Sequence, residues 1–160
     1  GLSEDRLCEA HGHFRSAHCI GCKSEVSIND VNKSIDEKKP YKCPRCGNFA
    51  KPDIVFYGEN LPSRFFTLSD KDFQNNSCQL LITIGTSLKV YPFASLATYT
   101  SKNIPRFLIN NEEAGDFTFN DNNSNDHFIK GDCQQAIVDL SEELGWLKEL
   151  DDLKKSFVIK

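Results

Sequence analysis

Two cysteine pairs, Cys19-Ile-Gly-Cys22 and Cys43-Pro-Arg-Cys46, stand with twenty residues between them. That spacing reads as one tetrahedral zinc site built from two tight turns. Each C-x-x-C turn offers two thiolates from one backbone knuckle, so two turns complete the four-sulfur shell of Cys19, Cys22, Cys43 and Cys46. A closed shell leaves no open coordination position, which makes the metal structural and sends the search for chemistry elsewhere. The rival reading is a disulfide framework. Against it, nothing at the N-terminus reads as a signal peptide, and Cys8, Cys78 and Cys133 stand outside the two pairs, as suits a reducing compartment.

The chain has 160 residues, 39% of them hydrophobic and 26% charged, and no apolar run approaches the length of a membrane span. A soluble, globular chain with no membrane association is expected. The net charge of −4 and the lack of a basic cluster interleaved with aromatics argue against a nucleic-acid partner.

Along the chain, Arg6 to His11 reads as a short buried strand that delivers His11 to a loop before Gly12. From His13 to Pro52 cysteine, lysine and glycine dominate, the texture of a small zinc-stapled module. Asp53 to Tyr57 reads as extended chain ending at Gly58, and Ser63 as the cap of a helix running toward Asn75 with Phe65, Phe66, Leu68 and Phe73 on its apolar face. Gln79 to Gly85 then has the β-branched, apolar texture of a parallel strand buried on both faces. A helix from Pro92 to Tyr99 and a strand from Arg106 to Ile109 complete a βαβ unit. Asp116 to Asp126 is too polar to bury and reads as a mobile surface loop. A short strand is expected over His127 to Lys130, a helix from Cys133 to Leu144 closed by Gly145, and a second amphipathic piece from Trp146 to Phe157.

A βαβ unit places ligands in the loops after its strands, here Gly85-Thr86-Ser87 and Asn110-Asn111-Glu112. Gly85 permits close approach of a nucleotide, and a following helix start favours negative charge; the plain alternative is an ordinary strand-to-helix turn. Asn110 and Glu112 suit ribose hydroxyls, or are turn formers and solvated charge. His11 is a natural general base near neutral pH, although a lone histidine beside a strand is more often structural. The stretch Lys51 to Glu59 either lines a peptide groove by strand addition or joins two domains.

Taken together, Glu9-Ala-His-Gly12, the two cysteine pairs, Lys51-Pro-Asp-Ile-Val-Phe-Tyr-Gly-Glu59, Gly85-Thr-Ser-Leu88, Val90-Tyr-Pro-Phe-Ala94 and Leu108-Ile-Asn110 resemble, in order and spacing, the sirtuins. These are NAD-dependent protein lysine deacylases, and the phrase around Val55 with Gly145-Trp146 is most similar to their eukaryotic cytoplasmic and nuclear deacetylase branch. The resemblance implies that His11 is the catalytic base, acting through the nicotinamide ribose hydroxyls. It implies a structural Zn2+ on the four cysteines. It implies NAD as co-substrate, contacted by Gly85, Thr86, Ser87, Asn110, Asn111 and Glu112, with Cys133 beside the adenine. An acetylated protein or peptide would add as a strand along Val55, Phe56 and Glu59 and along Leu88, Lys89, Val90 and Tyr91. The products would be free lysine, O-acyl-ADP-ribose and nicotinamide.

The fold so implied is α/β: an incomplete Rossmann-like parallel sheet with helices from 1–12 and 53–160, plus a small four-cysteine zinc module at 13–52. The family's Gly-Ala-Gly phosphate loop and Gln-Asn-Ile-Asp segment have no counterpart in these residues, so the sequence resembles the carboxyl-terminal portion of a sirtuin. Little activity of the chain by itself is expected, together with self-association through exposed strand surface. The rival from another class is a zinc-ribbon interaction module without chemistry.

Overall fold

The computed structural model describes residues 2–73, 77–122 and 124–156. These fall into two compact units, Gly1–Leu68 and Ser69–Lys160.

In the first unit a 3-10 turn over Glu4–Arg6 leads through a loop and a turn at Ala10 and His11 into strand β1, Gly12–Cys19. The expected strand from Arg6 to His11 is therefore replaced by a helical turn and loop, and His11 precedes a strand instead of ending one. The apolar residues Leu7 and Ala10 mimicked a strand, but Glu4 and Asp5 sit where a first helical turn favours acids. Strand β1 is the centre of a three-stranded antiparallel sheet, flanked by β2, Glu25–Val26, and β3, Ala50–Ile54. Its register with β3 pairs Cys19 with Ala50 at one end and Gly12 with Ile54 at the other, with a shift between Gly12 and Ala17.

Helix α1, Ile28–Asp36, was not legible in the lysine-rich stretch. Its start is nonetheless signalled: Ser27 caps it by accepting the Asp30 amide at 3.3 Å, and Val31 buries against the sheet side of the unit. Helix α2, Ser63–Phe73, begins at the expected serine; its expected end at Asn75 lies outside the described residues. Phe65 is buried and Phe66 exposed, their rings edge-to-face at 5.2 Å, so the apolar face is narrower than the sequence suggests.

The second unit is built on a parallel sheet in the order β4-β5-β6, with β4 at Leu81–Ile84, β5 at Arg106–Asn110 and β6 at Asp126–Lys130. A 3-10 turn over Phe93–Ser95 running into helix α3, Leu96–Tyr99, connects β4 to β5, which is the expected βαβ unit. The buried strand is β5 instead of β4, which lies at the edge with Ile82 and Ile84 44% and 42% exposed. Helix α4, Cys133–Glu143, is capped by Asp132, whose carboxylate accepts the amides of Gln134 and Gln135, both at 2.9 Å. Gly145 closes it with φ +72°: its own amide bonds Glu142 and the Trp146 amide bonds Ser141, the paired arrangement of a Schellman motif. Helix α5, Leu147–Ser156, follows; Phe157 lies outside the described residues.

The stretch from Asp116 to Asp126, in which Asn123 lies outside the described residues, is not simply a solvated loop. Asp126 is buried and pairs with the wholly buried Arg106, with Nε–Oδ1 at 2.6 Å and a second nitrogen to Oδ2 at 2.5 Å. The Thr118 amide adds a bond to Asp126 at 2.7 Å, the Ala97 carbonyl accepts from Arg106 at 3.0 Å, and the Phe117 ring lies 4.8 Å from the guanidinium. Phe119 stacks between Phe117 and Phe128. Asparagine-rich composition concealed an aromatic and ionic anchor.

Candidate functional site

The four cysteines meet in the first unit. Cys19 ends β1, Cys22 follows on the first knuckle, and Cys43 and Cys46 sit on a second knuckle closed by the Lys42–Phe49 bridge. Both knuckles are turned by a left-handed residue directly after the second cysteine, Lys23 at φ +58° and Gly47 at φ +75°. The ligand sulfurs all lie within 4.8 Å of one another, with Cys19–Cys46 at 3.4 Å and Cys22–Cys43 at 3.8 Å. Bonds of about 2.3 Å to a tetrahedral zinc place sulfurs about 3.8 Å apart, so the set fits the ion, whereas a disulfide needs about 2.05 Å.

The surroundings suit thiolates. The Cys22 amide points at Cys19 Sγ at 3.4 Å, the Ser24 hydroxyl lies 3.0 Å from Cys22 Sγ, and Asn48 Nδ2 lies 3.6 Å from Cys46 Sγ. Hydrogen bonds from Ser24 pull the Cys22 thiol down to about 6. Cys19 moves up to about 11: the Cys22 amide favours its thiolate, but burial and the neighbouring thiols Cys46 and Cys22 outweigh it. Four sulfurs this close cannot all carry charge unless a cation sits among them.

The same β-ladder ties this site to His11. Gly12 pairs with Ile54 at φ +80°, and a Cβ there would stand 1.9 Å from the Asp53 carbonyl oxygen, so only glycine allows the two strands to approach. Beyond that pair the Val55 amide donates to the His11 carbonyl at 3.0 Å. The backbone of the exposed His11 is thereby tied to Val55, the residue before Phe56. Glu59 closes the turn: its carboxylate accepts the Phe56 amide at 2.8 Å and its own amide bonds the Phe56 carbonyl at 3.0 Å. Asp53, between the two ends, accepts from Ser16 and lies 2.8 Å from His18 Nδ1. Burial works to raise its carboxyl, but Ser16 and His18 leave it below the usual range.

In the second unit the ends of the parallel strands converge. Gly85 has φ +63° and its amide bonds the Ile109 carbonyl at 3.0 Å; Cys133 Sγ faces the same carbonyl at 3.5 Å. A Cβ on Gly85 would meet that sulfur at 3.5 Å. Asn110 Nδ2 donates to the carbonyls of Thr86 at 3.2 Å and Glu112 at 2.9 Å, and so joins the two expected nucleotide loops. Ser87, Leu88, Lys89, Tyr91 and Glu112 line one cleft of about 490 Å³. Cys133 lines another of about 640 Å³, with Ile84 and Val138 among its walls. The helix expected from Pro92 to Tyr99 is present as the 3-10 turn at Phe93–Ser95 running into α3, and an irregular stretch with Leu88 left-handed at φ +48° separates it from Ser87. The Asn110 side chain, not a helix N-terminus, organises these loops, a role that residue type alone did not reveal.

Comparison with known proteins gives the geometry its context. The family model described as "Sir2 family" matches residues 1–92, more than half of the chain. The chain is 44% identical over 165 residues to the NAD-dependent deacetylase sir2A of Dictyostelium discoideum, covering 98% of this chain and 32% of that protein. It is 41% identical over 171 residues to the NAD-dependent protein deacetylase sirtuin-2 of Danio rerio, covering 97% and 45% respectively. To the NAD-dependent protein deacetylase hst2 of Schizosaccharomyces pombe it is 41% identical over 153 residues, covering 96% and 45%. The chain thus spans from just under a third to just under half of the length of these curated relatives. With a matching model, near-complete coverage of the chain and a cysteine cluster of zinc geometry, this chain belongs to the Sir2 family.

Proposed function

We propose that this chain is part of an NAD-dependent protein lysine deacylase, which converts an acyl-lysine and NAD to lysine, O-acyl-ADP-ribose and nicotinamide. The observation that carries the reading is the bond from the Val55 amide to the His11 carbonyl, which fixes the one candidate base to the segment proposed to receive the peptide. His11 serves as general base. Val55, Phe56 and Glu59 are peptide-binding residues in this reading, as are Leu88, Lys89, Val90 and Tyr91. Gly85, Thr86, Ser87, Asn110, Asn111 and Glu112 contact NAD, and Cys133 lies beside its adenine. NAD supplies the electrophilic carbon and the nicotinamide leaving group; the chain orients it and removes the proton.

Zinc on Cys19, Cys22, Cys43 and Cys46 holds both knuckles, and through the Cys19–Ala50 end of the ladder keeps β3 in register with β1. The module at 13–52 and the NAD-binding remainder stand as functional divisions within the same proposal. So do a cytoplasmic or nuclear site of action, supported by free cysteines throughout the chain, and self-association through the β4 edge. No described helix is long and apolar enough to cross a membrane.

The test is nicotinamide release from NAD with an acetyl-lysine peptide, run on this chain, on a chain extended upstream, and on both with His11→Ala. The reading expects release that depends on the acetyl group and falls at least about 100-fold in the alanine variant with zinc retained. Silence in both chains, or release indifferent to His11, would overturn it in favour of a binding module.

A further inference from the structure

We propose that Lys51 is a positioning residue for the acyl-lysine peptide, holding the turn from Ile54 to Glu59 in its receiving shape before the peptide arrives. This rests on the functional reading above. Lys51 lies on β3 directly opposite His18, so the ladder fixes its backbone, and its side chain reaches forward along the chain with only 21% exposure.

Its ammonium has three targets for three N–H groups. The Ile54 carbonyl oxygen is 2.5 Å away, Glu59 Oε2 is 3.1 Å away, and the Phe56 ring centroid is 4.6 Å away. The same Glu59 oxygen accepts the Phe56 amide at 2.8 Å. The Phe56 amide and, behind it, Lys51 keep the Glu59 carboxyl below its usual range and therefore charged. Lys51, Phe56 and Glu59 thus form a closed set around a turn whose Tyr57 is 97% exposed.

A lysine that merely supports the fold ties one element to another or lays its stem along the core. The partners of Lys51 are instead the last residue of its own strand, Ile54, and two residues of the exposed stretch that follows, Phe56 and Glu59. With Val55 bonded to His11 on the other side, that stretch is held in one conformation although little of it is buried. Fixing a receiving edge in advance lowers the ordering cost of binding an extended peptide. A compact ammonium with three rotatable donors suits three targets that surround one point, whereas the donors of a guanidinium are fixed in one plane.

The experiment measures binding of a fluorescent acetyl-lysine peptide by anisotropy, against its unacetylated control, for the wild type, Lys51→Met and Lys51→Arg. Zinc content and amide hydrogen exchange at Phe56 are read on the same samples. Lys51→Met is expected to weaken acetyl-peptide binding about tenfold and to speed Phe56 exchange, with zinc stoichiometric and exchange in β1 unchanged. Lys51→Arg should recover part of the loss. Wild-type affinity in Lys51→Met overturns the inference alone, as does a loss that merely tracks loss of zinc. A wild type that fails to prefer the acetylated peptide overturns the functional reading and this inference together. Should Lys51→Met lose zinc, Glu59→Gln in zinc-loaded protein decides: about threefold weaker binding supports the clamp, and unchanged binding refutes it.

Discussion

Asp126→Asn tests the anchor of the second unit. The side chain of Arg106 has no exposure and that of Asp126 2%, so the pair is fully desolvated. Removing one member of such a pair leaves an uncompensated buried charge, at a cost of about 3–5 kcal/mol. The surroundings place this case near the lower end. Arg106 keeps the Ala97 carbonyl at 3.0 Å, the face of Phe117, and the partly exposed Asp116 at 3.6 Å. Asparagine also retains one oxygen, which in the place of Oδ2 can still accept from both the second Arg106 nitrogen and the Thr118 amide, so that the bond lost outright is the one from Arg106 Nε to Oδ1. We therefore expect a loss of about 3 kcal/mol, a fall of roughly 1–3 M in the urea midpoint of the β4–β6 unit. Hydrogen exchange at Leu108 and Ile109, the buried apolar residues of β5, follows it most directly. The pair Arg106→Met with Asp126→Leu should regain most of the loss, because apolar replacements of both partners avoid the stranded charge. A change below about 1 kcal/mol in Asp126→Asn would refute the argument, since it would mean that water reaches the guanidinium.

The same contact sets an acid limit. Burial alone would raise the Asp126 carboxyl, but hydrogen bonds from Arg106 and Thr118 bring it below the usual carboxylate range. A carboxyl depressed in the folded state contributes fully above its unfolded value, about 3.9, and that contribution is lost as pH falls through the folded-state value. Acid unfolding of the second unit below about pH 4 should be markedly less steep in Asp126→Asn.

Chelation, or Cys43→Ser, should loosen the zinc knuckles and the Ala17–Cys19 end of β1 in hydrogen exchange while leaving β4–β6 intact; unchanged protection over 13–52 after metal removal would sink the structural role of zinc. Gly12→Ala combines a left-handed backbone at φ +80° with a Cβ 1.9 Å from a carbonyl oxygen, and should cost about 3 kcal/mol or more and free the Val55 amide to exchange; a stable variant with Val55 protected would overturn that account. Light scattering should find self-association through β4, whose outward residues Ile82 and Ile84 carry no charge to discourage pairing, and a sharp monomer with cooperative unfolding would count against it.

What was legible in the sequence was what short-range chemistry dictates. The four cysteines declare themselves because a C-x-x-C turn is its own geometry, and the structure adds only the left-handed residues that follow each pair. The βαβ unit, the Asp132-capped helix and the glycine stop at Gly145 follow from period and end signals within a dozen residues. The failures share a cause, which is that burial is decided by partners far along the chain. Gln79 to Gly85 has the composition of a central strand, yet composition cannot say that β5 would take the interior and leave Ile82 and Ile84 half in solvent. Asp126 looked solvated because an asparagine-rich stretch precedes it in sequence, while its neighbour in space is an arginine twenty residues earlier. Lys51 sat inside a recognised motif and still hid its contacts, because the turn that brings Glu59 back to it depends on Gly58 at φ +86° and on the Phe56 amide finding a carboxylate. Local chemistry therefore names the ligands and turn formers of this chain, whereas the partners of Asn110 and Arg106 are identified only once distant segments have met, and those of Lys51 only once its own turn has closed.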